Sequence, residues 1–340
     1  MRYFASLIEN IKPTLSGHDT FSLKYGWLKK VYDQINSLNS DDEPTNVFSA
    51  DSAIADFGVG KNMLNAMRFW STHTAMIYRQ ANAYYNTDET FASEYALTNN
   101  NSIDALQHIN HFYNAESLLD DEGLDPYLES PSTIWLLHLC LVTNPNLVTY
   151  YWFFNINNKQ ELTKQEFMRL LKEFMDLYNL DAPADKTISN DISCFILNYS
   201  SKRRKANDNF EATLEGPLVE LGLLSRVNNQ GIRALRGEKN SLSLHVFVYA
   251  LINCWKIHGS TADTLSLEIA TYDECSPGRV FMLDEEAIIG YAEQLSESGY
   301  SMIWTQSAGI RQFQLINGSK LQDILDQSIE LMRIEDYNRQ

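Results

Sequence analysis

Apolar side chains recur along most of this 340-residue chain at helical rather than strand spacing. From Asn46 to Met76 the pattern predicts helix, turn, helix. Ser49 or Asp51 can cap a short helix, Gly58 suits its left-handed end, and Gly60 starts the next. On that second helix Met63, Met67 and Trp70 share one face, while Lys61, Asn65, Arg68 and Thr72 share the opposite one. An apolar stripe backed by Lys-Asn-Arg-Thr suits a helix that anchors on a core and offers donors to a DNA groove, though a surface helix with no ligand has the same spacing. Beyond Ile77 a two-stranded wing is expected to turn at Asn86-Thr87-Asp88 and return through Ala96-Leu97-Thr98.

The same grammar recurs twice. Thr163-x-x-Glu166 is a capping box opening a helix with Phe167, Leu170, Leu171, Phe174 and Met175, and Thr187 to Leu197 supplies another helix. Glu220 to Val227 and Ile232 to Leu235 then read as a helix end running into a hairpin. Asp284 caps a further helix that ends near Gly299, followed by paired strands at Ser301–Thr305 and Ile310–Ile316. The expected fold is mainly α, built of winged-helix-like helical modules with short antiparallel β-hairpins. Three modules are expected, at 1–100, 101–200 and 201–340, with breaks near 144–160 and 255–263.

Composition changes this picture in one respect. The formal net charge is −17, an objection to phosphate contact. Its distribution weakens the objection, because between Arg79 and Lys159 there is no Lys or Arg while ten acids occur. Residues 1–79 balance eight bases with eight acids, and residues 201–239 carry eight bases against five acids. DNA contact is therefore expected from these two segments, and the acidic middle reads as a solubilising surface or a face for a basic partner. The longest apolar run, Ile134 to Val142, is too short to span a bilayer, so no membrane association and a cytoplasmic location are expected. Four scattered cysteines, Cys140, Cys194, Cys254 and Cys275, read as buried free thiols.

Two runs, Ser16-Gly17-His18-Asp19-Thr20-Phe21 to Lys30 and Asp51 to Trp70, resemble the bacterial family known as domain of unknown function 4007. The likeness extends through Asp125–Glu129 with Trp135–His138, Ser276–Phe281 with Leu283–Glu285, and Ala308–Gln312. That family includes the B component, a DNA nickase, of the single-strand DNA phosphorothioation systems. The resemblance implies a strand nick that exposes DNA to a cysteine desulfurase and ATP-dependent sulfur-transfer proteins. In the family the first motif reads Gly-His-Glu or Gly-His-Asp, so the carboxylate is retained here as Asp19.

Among the residues themselves, His18 and Asp19 are the catalytic candidates, since an imidazole moves protons near neutral pH and a carboxylate can orient it or hold a metal. The alternative is that either one merely caps the helix carrying Phe21, Tyr25 and Leu28. Lys24, Tyr25, Lys29 and Lys30 mix cations with an aromatic ring, as phosphate contact and base stacking require. Lys202, Arg203, Arg204 and Lys205 form the densest positive cluster. Arg279, on the Ser276–Arg279 turn, and Arg311, on a strand, are further DNA-contact candidates.

Phosphodiester hydrolysis calls for a divalent metal, magnesium or manganese, with Asp19, Asp284 and Glu285 as candidate ligands; Asp284 and Glu285 also suit the first turn of a helix without any metal. Gly58-Val59-Gly60-Lys61-Asn62 fails as a phosphate loop for want of the first glycine and the final Ser or Thr, so no nucleotide or organic cofactor is expected. His108 and His111, with Asp104, have zinc-compatible spacing but no fourth ligand. The residues alone thus support DNA contact. A non-catalytic adaptor for the sulfur-transfer enzymes and a winged-helix transcriptional regulator remain alternatives.

Overall fold

A computed structural model describes residues 2–39, 46–49, 52–88, 114–201, 215–227, 231–259, 261–295, 297–307, 309–316 and 318–337. The Lys202–Lys205 cluster, the His108 and His111 pair with Asp104, and the expected strand at Ala96–Thr98 lie outside them. Within them the chain is mainly helical, with three small antiparallel sheets.

The first group of elements is α2 (Trp27–Asn39), α3 (Ala53–Phe57), α4 (Lys61–His73) and the ribbon β1 (Ile77–Gln80) with β2 (Ala83–Asn86), preceded by α1 (Arg2–Leu7). Gly58 ends α3 in the left-handed region at φ 57°, as expected, and Gly60 begins α4. The α3 N-cap position is Ser52 rather than Ser49 or Asp51, and no side chain caps it. The ribbon forms, but it turns at Ala81-Asn82, where Gln80 faces Ala83, and not at Asn86–Asp88. Thr87 serves a different end. Its buried hydroxyl bonds Ala75 O at 3.0 Å and accepts from Ala115 N at 2.8 Å, tying the ribbon to α5 (Ala115–Leu119).

The centre is α6 (Pro131–Thr143), in which Ser132 through Val142 are all buried, as befits a helix apolar on every side. Most of the first segment expected as a break packs in this core. A short helix, α7 (Val148–Tyr151), passes into a π-turn, Trp152–Ile156, whose Trp152, Phe153 and Phe154 are buried, and α10 (Leu244–Gly259) extends into the second expected break.

Two sheets of identical order follow. In the first, β3 (Glu161–Thr163) precedes α8 (Lys164–Leu177) and α9 (Asp185–Tyr199), then β4 (Leu224–Val227) and β5 (Gly231–Ala234) close a β3-β5-β4 sheet. In the second, β6 (Thr264–Ser266) precedes α11 (Leu267–Tyr272), α12 (Pro277–Val280) and α13 (Glu285–Leu295), and β7 (Met302–Ser307) with β8 (Ile310–Leu315) gives the order β6-β8-β7. The last helix, α14 (Leu321–Tyr337), packs on α10. The capping box is real on one side, for Thr163 accepts from the Glu166 amide, while the Glu166 carboxylate turns to Lys159.

The first helix is stitched to the far end of the sequence. Phe4 packs against Tyr151, Phe174 and Tyr178, and its amide donates to Glu274 Oε2 at 2.9 Å. All four cysteines are free and buried. Among the described residues no helix is long and apolar enough to cross a membrane.

Two imidazoles make the fold acid-sensitive. His138 is buried, accepting from the Tyr199 hydroxyl at 2.8 Å and donating to Val280 O at 2.7 Å, and burial pushes it down to about 3. Desolvation, with His18 nearby, pushes His73 down to about 4. Between these values and the ordinary imidazole range only the unfolded chain binds the extra protons, so stability is lost as pH falls below about 6.5. At pH 5 the loss should be about 2 kcal/mol per imidazole. Urea unfolding at pH 7 and pH 5 measures it, and an unchanged midpoint would contradict the assignment.

Candidate nucleic-acid interface

Residues 16–23 form a loop clamped between α4 and α9. Gly17 sits at φ 107°, and a Cβ there would stand 3.0 Å from the Phe69 ring. Asp19 and Thr20 follow in the left-handed region at φ 44° and 67°, each costing about 1 kcal/mol of strain for a side-chain-bearing residue. The clamp that holds them is polar on one side and aromatic on the other. His18, 2% exposed, accepts from the Thr20 amide at Nδ1 (3.0 Å), so the proton lies on Nε2, which donates to Asp191 Oδ1 at 2.9 Å. The other Asp191 oxygen accepts from the Thr149 hydroxyl. The His18 ring meets Phe69 edge-on at 5.3 Å and stacks along Trp70 at 6.2 Å. Further along, Phe21 O accepts from Trp70 Nε1 at 2.9 Å, and the Leu23 amide donates to Asn198 Oδ1 at 3.0 Å.

The consequence is a division of labour between neighbours. His18 faces inward with both ring nitrogens engaged, while half-buried Asp19 faces α4, where Asn65 Nδ2 donates to its Oδ2 at 3.0 Å. Its second oxygen makes no hydrogen bond among the described residues.

Of the expected apolar stripe on α4, Met67 and Trp70 are buried and Met63 is only half-buried; Leu64 is buried beside them. On the other side Lys61 is exposed and Asn65 and Arg68 are half-buried. No side chain caps the start of α4 and no acid stands in its first turn, so its amides keep their positive end toward solvent. Lys30 reaches the same place, its ammonium lying 3.8 Å from where a Gly58 Cβ would be. Lys30, Lys61 and Arg68 take part in no ion pair among the described residues.

The rest of the expected cluster is engaged elsewhere. Lys29 is buried and paired with Asp33 at 2.5 Å and Asp121 at 2.7 Å. The Tyr25 hydroxyl donates to Glu220, and burial together with this bond raises its pKa. Lys24 is half-buried and not without a partner. In the C-terminal half, the Arg279 guanidinium donates to Tyr272 O and Asn157 O at 3.0 Å each and to Asn158 Oδ1 at 2.7 Å, fastening two loops together. Arg311 pairs with Glu285 at 3.1 Å, and Glu285 also accepts from the Tyr272 hydroxyl at 2.9 Å. Asp284 caps α13 through the Ala287 amide at 2.9 Å. Of the expected site residues, then, Lys61, Asn65 and Arg68 lie along one side of α4, Asp19 is hydrogen-bonded to Asn65, and Lys30 lies near Gly58 before the start of α4. Among the described residues no hydrogen bond or ion pair joins them to Asp284, Glu285, Arg279 or Arg311.

Asp191, Thr149 and Asn198 escaped the sequence reading. The available signal was a carboxylate at 191 on a helix face otherwise made by Ile188, Ile192 and Phe195, since a charge on an apolar face needs a buried partner.

The sequence matches the family "Protein of unknown function (DUF4007)" over residues 15–329, and the chain belongs to that family. Among solved structures it is similar to two crystal structures of SspB, one of them magnesium ion-bound, with TM-scores of 0.75 and 0.76. Both are 24% identical in sequence, and the match covers 98% of this chain and 90% and 91% of theirs. No curated protein matches the sequence.

Proposed function

We propose that this chain is the DNA-contacting, strand-nicking component of a bacterial single-strand DNA phosphorothioation system. The observation that carries the reading is the face formed by Lys61, Asn65 and Arg68, with Lys30 beside the uncapped start of α4 and Asp19 hydrogen-bonded to Asn65. Likeness of fold to SspB along nearly the whole chain supports the system. On this reading α2, α3, α4 and the β1–β2 ribbon are a winged-helix module with α4 in the groove, and the two three-stranded units are further modules of the same kind.

Lys30, Lys61, Arg68 and the α4 amides hold a backbone phosphate and offset its charge. Asp19 takes a proton from an attacking water. The water oxygen bonds to phosphorus, the bond from phosphorus to the leaving sugar oxygen breaks, and that oxygen takes a proton from solvent. The exposed strand then passes to a cysteine desulfurase and ATP-dependent sulfur-transfer proteins. Among the described residues no group of three or more His, Cys, Asp or Glu side chains could hold a metal, and Asp284 and Glu285 are committed to a cap and an ion pair. Magnesium commonly binds one carboxylate together with substrate phosphate oxygens, and Asp19 fits that role. When bound it would add charge neutralisation at the phosphate.

Purified protein, with and without its sulfur-transfer partners, should convert supercoiled plasmid to open circles in magnesium and stop in chelator. Binding should weaken with salt, and Lys61→Ala should flatten the log–log slope by about 0.9. Salt-independent binding would refute the face. Salt-dependent binding without nicking, with or without partners, would favour a DNA-positioning adaptor, which the engagement of Asp284 and Glu285 also suits.

A further inference from the structure

The chain of hydrogen bonds behind Asp19 crosses from one part of the fold to another. Thr149 on α7 donates to Asp191 on α9, Asp191 accepts from His18 Nε2, and His18 Nδ1 accepts from the Thr20 amide. All three side chains are buried, at 1%, 2% and 2% exposure. Because Nδ1 is already an acceptor, the imidazole is held as its Nε2–H tautomer, and Asp191 is the group that fixes this. A buried carboxylate beside an imidazole is a poor device for stability, since apolar residues of similar volume serve as well or better. Its better-attested use is to specify one geometry.

Here the specified geometry is a strained one. The amide that His18 grips belongs to Thr20, the second of two consecutive left-handed residues, and the first is Asp19. Left-handed pairs without glycine persist where surrounding structure over-determines them, and they gather at functional sites. We propose that Asp191, acting with Thr149 through His18, is a positioning residue: it holds the Asp19–Thr20 turn so that the Asp19 carboxylate meets the Lys61, Asn65 and Arg68 face. Asp191 touches neither DNA nor the reacting phosphate. The assignment rests on the nicking reading above and adds that α9, from a different unit of the fold, completes the N-terminal site.

Plasmid nicking by the full chain tests it, with DNA affinity measured on the same samples. Asp191→Ala should lower kcat by about tenfold or more with Kd changed less than about threefold, as expected when a supporting partner rather than a contact is lost. Asp191→Asn keeps an oxygen that accepts from His18 and should restore the rate to within about threefold. The double variant Asp191→Ala with Asp19→Asn should be no slower than Asp19→Asn alone, because both act on one carboxylate. Should Asp191→Ala fail to fold, Thr149→Val takes its place, with an expected kcat loss of about threefold at unchanged Kd. The imidazole 15N spectrum of His18 should show the Nε2–H tautomer.

A folded Asp191→Ala or Thr149→Val that nicks at the wild-type rate, losses that multiply in the double variant, or an Nδ1–H tautomer each overturn the assignment alone. A wild-type protein that never nicks, with or without partners, overturns the nicking reading and the assignment with it.

Discussion

Asp19→Asn should reduce nicking by about a hundredfold or more while leaving the folded protein as stable as before. Asparagine has the same shape, tolerates the left-handed backbone at φ 44°, and can still accept from Asn65 through its amide oxygen. Only the charge and the basicity are lost. Removing a negative charge beside Asn65, on the helix that carries Lys61 and Arg68, should also leave DNA affinity unchanged or slightly higher. Single-turnover nicking with a parallel melting curve decides it. A variant that nicks normally would shift attention from Asp19 to residues outside the face described here.

The neighbouring substitution should behave in the opposite way. His18→Ala removes the partner of a buried carboxylate, leaving Asp191 with the Thr149 hydroxyl alone, and it releases the Thr20 amide. Stranding a buried charge is among the more damaging single changes, and a loss of about 3 kcal/mol is expected, read as a lower urea midpoint. Any loss of nicking should then follow from the displaced turn. If His18→Ala melts like the wild type, the buried pair is not holding the loop. The two adjacent residues, which enter the sequence as one catalytic-looking dipeptide, are thus expected to differ: Asp19→Asn lowers the rate alone, whereas His18→Ala lowers stability and, through the displaced turn, the rate as well.

What the sequence disclosed and what it hid follow from the range of the interactions. The Thr163 cap, the left-handed Gly58 and the pairing of β7 with β8 depend on neighbours within a few residues, and each is found where local chemistry puts it. The ribbon turns at Ala81-Asn82, whereas Asn86-Thr87-Asp88 has the composition of a turn. Its threonine instead satisfies backbone groups at Ala75 and Ala115, which no local rule reveals. The strands β3 and β6, three residues each, are too short to show alternation and gain their identity only from β5 and β8.

The same limit governs the site. That Lys61, Asn65 and Arg68 share a helix face is legible because one helix carries them at i, i+4 and i+7. Lys29 looked like its neighbour Lys30 until the fold delivered Asp121 to it, and the partner of His18 lies 173 residues away.

The stitching of Phe4 to Glu274, Tyr151 and Phe174 has a consequence in time as well as in space. During synthesis the first helix emerges before any of the surface that will cover it. Its amide must wait for a carboxylate 270 residues downstream, which at about 5–20 residues per second takes roughly 14 to 54 s. The Phe4 amide is therefore satisfied late, and the 16–23 loop also waits for α9 before His18 finds Asp191. Until Asp191 emerges a growing chain carries an unpaired His18, so the turn at Asp19 is fixed only after more than half of these 340 residues have left the ribosome.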